Sequence, residues 1–146
     1  MRLDTTLRRH VYDVTLDTGT PPTIAELSAL TSRPDADVRD GLRQLAAARV
    51  LVLQPASGEI LMAPPFSAIP TPFLVRTPRY ESYANCAWDA LGVPVMLGAR
   101  ALIVSACGCC GESITVEADP STPPTGGAVV HFAVPARRWW DDLVFT

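Results

Sequence analysis

The spacing of the apolar residues changes near residue 50, and this change constrains the fold more than any other feature of the sequence. Before it, Leu3, Leu7, Val11 and Val14 recur at the spacing of one helix face, and the pattern stops at Gly19. After it, the first apolar runs are short and bounded by turn residues, which is typical of β-strands. The sequence therefore predicts a mixed fold that begins with helices and continues with short strands.

Two further helices and a hairpin complete the first predicted unit. Residues 23–26 have the pattern of a capping box that opens a second helix, and a third helix runs from about Asp35 to Arg49. Two β-type runs, 50–53 and 59–62, follow on either side of a turn. Three helices followed by a β-hairpin are the plan of a winged helix-turn-helix, so we predict a winged-helix-like domain at residues 1–65.

The charges of this unit argue against DNA binding. Residues 1–65 carry seven arginines and eight acidic residues, and the whole chain has a net charge of -3. The helix in the recognition position begins with Asp35, Asp37 and Asp40, where a DNA reader places groups that attract phosphate. We therefore expect this unit to be a packing or lid module, and a metal-responsive DNA-binding regulator is the weakest alternative. The net charge also predicts no electrostatic attraction to anionic membranes.

A proline-rich segment separates this unit from a second one. Residues 66–79 are predicted to be a semi-rigid, extended connector, because closely spaced prolines remove backbone donors. The second domain, residues 80–146, is predicted to contain a helix from about Trp88 to Leu97 and a turn of helix near Trp139 that runs into a final strand. Three other strands are predicted in it, at 101–105, 113–118 and 128–134.

All four cysteines lie between residues 86 and 110, and they carry the chemistry of the chain. No apolar run is long enough for a membrane span or a signal peptide, so we predict a cytoplasmic protein whose thiols stay reduced. Cys86 and Asp89 are three residues apart, which on a helix places a thiol and a carboxylate on one face. Cys107, Cys109 and Cys110 follow in a glycine-flanked turn.

A metal-binding protein is the main alternative that the residues themselves leave open. Cys107 to Gly111 contain a C-x-x-C-G knuckle, which is half of a zinc ribbon. A Zn(II) or similar site would combine Cys86, Cys107 and Cys110 with Cys109 or His131, although a structural histidine is the favoured interpretation of His131. Neither G-x-G-x-x-G nor a P-loop occurs, so nucleotide chemistry has no support.

The phrase Tyr-Ala-Asn-Cys-Ala-Trp-Asp-Ala-Leu at 83–91, with Pro94, a strand ending in cysteine, 130–132 and Trp139, resembles the organomercurial (alkylmercury) lyase family. The resemblance implies an α+β protein, in which the winged-helix-like unit precedes a small mixed α/β domain with short, mostly antiparallel strands. It implies protonolysis of a carbon-mercury bond by two cysteines and one aspartate without a cofactor. The substrate would be a small organometallic compound, Hg(II) the bound product and thiols the partners that remove it.

The resemblance also assigns roles to individual residues. Cys86 matches the first catalytic cysteine, Asp89 the proton-carrying aspartate, and Cys107 a structural cysteine. The family's second catalytic cysteine follows the region matched by 139–145, but this chain ends at Thr146 and would lack the family's C-terminal segment. Three expectations stay open: Cys109 or Cys110 supplies the second sulfur, the chain binds mercury without turnover, or it is a fragment.

Overall fold

A computed structural model describes residues 3–123, 127 and 129–142. Its α-helices are α1 (Thr5–Thr18), α2 (Ile24–Thr31), α3 (Asp35–Ala47) and α4 (Ala87–Leu97), and a 3-10 helix spans Ala136–Asp141. Its strands are β1 (Val52–Leu53), β2 (Ile60–Ala63), β3 (Phe66–Ser67), β4 (Leu74–Arg76), β5 (Glu81–Ala84), β6 (Ala101–Ala106) and β7 (Ser113–Ala118). Within the described part of the chain, every helix is too short or too polar to cross a membrane.

Local capping interactions set the ends of the first helices. The Asp4 carboxylate accepts a hydrogen bond from the Leu7 N–H (2.9 Å) and starts α1, and Gly19 ends it in the left-handed conformation. Thr23 and Glu26 form the predicted capping box at the start of α2. The end of α1 and the start of α2 therefore lie where the sequence predicts, whereas the Asp4 cap was not predicted.

A single antiparallel sheet of seven strands runs through most of the described chain, in the order β1-β2-β3-β5-β4-β6-β7. The β1–β2 hairpin joins the remaining strands through β3, directly after the cis bond between Pro64 and Pro65. The α+β class is confirmed, and the sheet carries the polypeptide from the helical unit to the cysteines.

Residues 66–79, predicted as a semi-rigid, extended connector, supply β3 and β4 to the sheet. Prolines flank these strands, at Pro65 and Pro70 for β3 and at Pro72 and Pro78 for β4, so the paired residues keep their backbone donors. The predicted strand at 128–134 is wrong for 129–134, where no strand forms and Val129 is 87% exposed. Position 128 and the predicted final strand lie outside the described residues.

Two apolar clusters are packed on this framework. The first lies under the three N-terminal helices and the hairpin, and the second lies between α4 and the sheet. Tyr12 joins them by donating a hydrogen bond to the Pro64 carbonyl (3.1 Å), and Tyr80 does so by donating to the Leu16 carbonyl (2.9 Å). Tyr12 packs against the first cluster, and the Tyr80 contact holds the C-terminal end of α1 against the second cluster.

Candidate active site

The register of the sheet places Cys86 and Cys107 just beyond the C-terminal ends of two strands, at the same end of the sheet. Tyr83 of β5 and Val104 of β6 both pair with Leu74 of the intervening strand β4. Both strands run antiparallel to β4, so β5 and β6 point the same way, about 10 Å apart. Cys86 and Cys107 each follow three residues after those paired positions, which places the two ends of the predicted cysteine set side by side.

Cys86 is the N-cap residue of α4. Its backbone is extended, and its Sγ accepts a hydrogen bond from the Asp89 N–H at 3.5 Å. A sulfur at this position lies at the positive end of the helix dipole, which favours negative charge on it. Burial nonetheless raises the pKa of the Cys86 thiol, and the Asp89 carboxylate raises it further, while the N–H groups of Asp89 and Trp88 oppose both effects. The group is therefore a protonated thiol at neutral pH.

Asp89 lies in the first turn of α4 with a partly buried carboxyl group. Its Oδ2 accepts a hydrogen bond from the Asn85 Nδ2 at 2.8 Å. Burial raises the pKa of Asp89, and the Asn85 hydrogen bond opposes that rise. Trp88, which precedes Asp89 in the chain, is itself 61% exposed.

Part of that enclosure comes from residues that sequence reasoning did not select. Burial raises the pKa of Tyr12, the Arg8 cation lowers it, and the Asp89 carboxylate raises it, so the tyrosine lies within electrostatic range of the site. The Asn85 N–H donates to the Pro65 carbonyl at 3.4 Å, which ties the loop before Cys86 to the residue that precedes β3. Only the folded sheet reveals these neighbours, because they lie far away in the sequence.

Asn85 carries a second unusual feature. Its Oδ1 atom is buried and has no hydrogen-bond partner, and the same is true of Ser82 Oγ in β5. A buried acceptor without a partner costs free energy, so an orphaned atom beside the thiol and the carboxyl marks a site open to a donor from elsewhere. The sequence interpretation gave Asn85 no chemical role, although its position next to Cys86 was a signal.

The other three cysteines form a cluster in the β6–β7 turn. The sulfurs of Cys107, Cys109 and Cys110 all lie within 4.8 Å of one another. The N–H groups of Cys109 and Cys110 hold the pKa of the Cys107 thiol below its usual value. Cys86 is not a member of this cluster, and neither is His131, which is exposed. The structure thus gives a thiol–carboxyl pair and a separate group of three thiols, and all four cysteines are free.

Comparison with known proteins identifies the lineage of this arrangement. A family model described as MerB, alkylmercury lyase, matches residues 66–146, which is more than half of the chain. The chain belongs to the alkylmercury lyase family. A solved structure, described as the mercury-bound form of MerB2, matches this chain with a TM-score of 0.63 and 23% sequence identity. The match covers 85% of this chain and 62% of that chain, and no curated protein matches.

The alkylmercury lyase match includes Cys86, Asp89 and the cysteine turn, whereas Tyr12 lies before it. Towards its end, the Phe132 and Trp139 rings lie 4.9 Å apart, and the Trp139 Nε1–H donates to the Val134 carbonyl (2.8 Å). These contacts connect residues 132–134 to the 3-10 helix. Thr146, the position considered for a second catalytic sulfur, lies outside the described residues.

Proposed function

We propose that this protein cleaves carbon-mercury bonds by protonolysis, with Cys86 binding the metal and Asp89 carrying the proton. The observation that carries the proposal is the shared first turn of α4, where the Cys86 sulfur lies against the Asp89 N–H and burial raises the pKa of the Asp89 carboxyl. Membership of the alkylmercury lyase family supports the reaction class. Small organomercury compounds are the substrates, and no cofactor takes part.

The first step is metal capture with loss of the thiol proton. Asp89 alone cannot take that proton, since ordinary cysteine and aspartate pKa values differ by 4 to 5 units, roughly 6 kcal/mol. Coordination to a soft cation removes this obstacle, because a bound thiol ionises outright. The organomercury cation therefore bonds to the Cys86 sulfur, and the released proton moves to the Asp89 carboxylate.

The second step breaks the carbon-mercury bond. A second thiol releases its proton to solvent as its sulfur bonds to mercury, and the added electron density makes the mercury-bound carbon basic. Asp89 then protonates that carbon, the hydrocarbon leaves, and Hg(II) stays on two sulfurs while Asp89 returns to the carboxylate form. Small thiols remove the Hg(II). A carboxyl group with a raised pKa suits this role because it holds a proton nearer to neutral pH.

We infer that the second sulfur comes from Cys109 or Cys110. The pairing of β5 and β6 with β4 supports this, because Cys86 and the cysteine turn follow these two strands at the same end of the sheet. Both cysteines are exposed, so their sulfurs are accessible to an organomercury compound from solvent. Cys107, directly after β6, matches the cysteine that the resemblance marks as structural, so we assign it no part in the cleavage step.

We propose a packing role for the N-terminal helices rather than DNA binding. Their order, followed by the β1–β2 hairpin, supports a winged-helix-like domain at 1–65, and the first apolar cluster stays within it. Arg39 donates to the Ser57 carbonyl (2.7 Å), and Arg43 pairs with Asp40. Both arginines of α3 thus have partners within the protein, and Asp40 offsets the charge of Arg43, which supports the packing role. The connector at 66–79, the domain at 80–146 and a cytoplasmic location with reduced thiols remain predictions.

The proposed reaction is tested by incubating the purified chain with phenylmercury acetate and excess thiol and measuring benzene by gas chromatography. We expect benzene from the wild type and a loss of at least 100-fold in Asp89→Asn, because removing a general acid costs about 10²–10⁴ in rate. Asp13→Asn, at an exposed carboxylate on α1, is the matched control and retains full activity. Mercury binding by the wild type without any benzene would contradict the proposal.

A further inference from the structure

The cysteine turn is a self-contained structure. The Cys107 N–H donates to the Glu112 carbonyl at 2.7 Å, and the Gly111 N–H donates to the Cys107 carbonyl at 2.8 Å. Gly111 adopts a positive φ of 74°, which glycine tolerates without strain. These contacts close the loop between β6 and β7, so its three sulfurs are grouped by local backbone geometry and not by any residue of α4.

The sulfur spacing suits a single ion. With metal-sulfur bonds of about 2.3 Å, three sulfurs around one ion in a plane lie about 4.0 Å apart. The three sulfurs of the turn already lie within 4.8 Å of one another. Side-chain rotations that move the sulfur atoms by less than about 1 Å would therefore complete the site. No backbone change is required.

The chemistry of the donors selects the class of ion. Thiolates favour soft cations. A structural zinc site takes four ligands, and within the described residues the cluster offers three, with no histidine or carboxylate among them. Cys109 and Cys110 are exposed, so an ion reaches the turn from solvent without opening the fold. A soft cation that accepts three sulfurs fits this set better than zinc does.

We propose that Cys107, Cys109 and Cys110 form a three-thiolate site that binds one soft cation, with Hg(II) as its ligand, independently of Cys86. Binding Hg(II) forms three mercury-sulfur bonds and releases the three thiol protons to solvent. The site does not depend on the proposed cleavage reaction, because it requires neither Asp89 nor an organic group on the metal. If cleavage occurs, an Hg(II) ion shared by Cys86 and one turn cysteine can pass to the other two sulfurs of the turn.

The test uses the full chain carrying Cys86→Ser, titrated with mercuric chloride in the presence of a competing monothiol. Native mass spectrometry counts the bound ions, and ultraviolet absorbance reports mercury-sulfur charge transfer. We expect one Hg(II) per chain. Adding Cys107→Ser, Cys109→Ser or Cys110→Ser to this variant should weaken binding by at least 100-fold, because even a changed residue around the ligands costs about 10–100-fold.

Two controls keep the result interpretable. Ser105→Ala, on β6 just before the turn, leaves every sulfur in place and should bind as the Cys86→Ser parent does. Circular dichroism checks that each variant is folded. Failure of the Cys86→Ser chain to retain Hg(II) against the monothiol would overturn the proposal, as would unchanged binding in all three turn variants. Tight binding of Zn(II) would contradict the assigned ion class. None of these outcomes depends on benzene release.

Discussion

The Asp89 carboxyl shows how one residue is prepared for proton transfer. Partial burial makes its charged form costly, and a single hydrogen bond from Asn85 partly compensates. Cys86 is subject to the same burial, so each group disfavours the charge of the other. The pair therefore rests with its proton on the thiol, and the carboxyl accepts a proton more readily than an exposed aspartate does. A cation that arrives at the sulfur changes this balance.

The raised pKa of Asp89 predicts a pH-dependent stability difference. In the unfolded chain the carboxyl ionises near its ordinary pKa of 3.8, whereas in the folded chain it ionises at higher pH. The folded state therefore loses stability relative to the unfolded state as pH rises through that interval. Asp89→Asn cannot ionise and escapes this loss. Urea unfolding of both proteins should show the variant gaining stability over the wild type as pH rises from 3.5 to about 7.

The comparison of the two proteins cancels the titration of every other group. A stability difference that stays constant over the pH range would contradict the assigned burial of Asp89. A difference that grows with acid would show that the folded environment lowers its pKa.

At the level of elements, local signals determined what the sequence could predict. The helix caps and the hairpin depend on neighbours within a few residues, and both were predictable. Strands β3, β4 and β5 are two to four residues long, which is too short to show a period. The closeness of Cys86 and Asp89 on one helix could be predicted from their spacing, whereas their proposed roles rest on the family resemblance. The three turn cysteines were also predicted to lie together, but the separation of Cys86 from them could not be, since it depends on how the strands of the sheet pair.

Across the whole molecule, α1 is held against the second apolar cluster by close contacts at one end. Gly19 ends α1 with a φ of 80°, and a β-carbon there would lie 2.5 Å from the Tyr80 ring. The Tyr80 hydroxyl donates to the Leu16 carbonyl on the same helix. This contact fixes the helix that carries Tyr12, and so bears indirectly on the surroundings of Asp89.

Gly19→Ala should therefore destabilise the protein by more than backbone strain alone. Gly98→Ala is the matched control, because Gly98 also has a positive φ (60°) but no atom within 4 Å of its added carbon. We expect the control to lose about 1–2 kcal/mol from the left-handed backbone. Gly19→Ala should lose a further 1–3 kcal/mol, roughly, from overpacking against the ring. Thermal unfolding measures both, and equal losses would show that the Tyr80 contact is not tight.

The most direct test of the central claim is a single-turnover reaction of enzyme with phenylmercury in D₂O, followed by mass spectrometry of the benzene. Protonolysis through Asp89 predicts benzene with one deuterium, formed rapidly by the wild type, while Asp89→Asn holds phenylmercury on Cys86 and releases almost none. Release of monodeuterated benzene by Asp89→Asn at the wild-type rate would contradict the account.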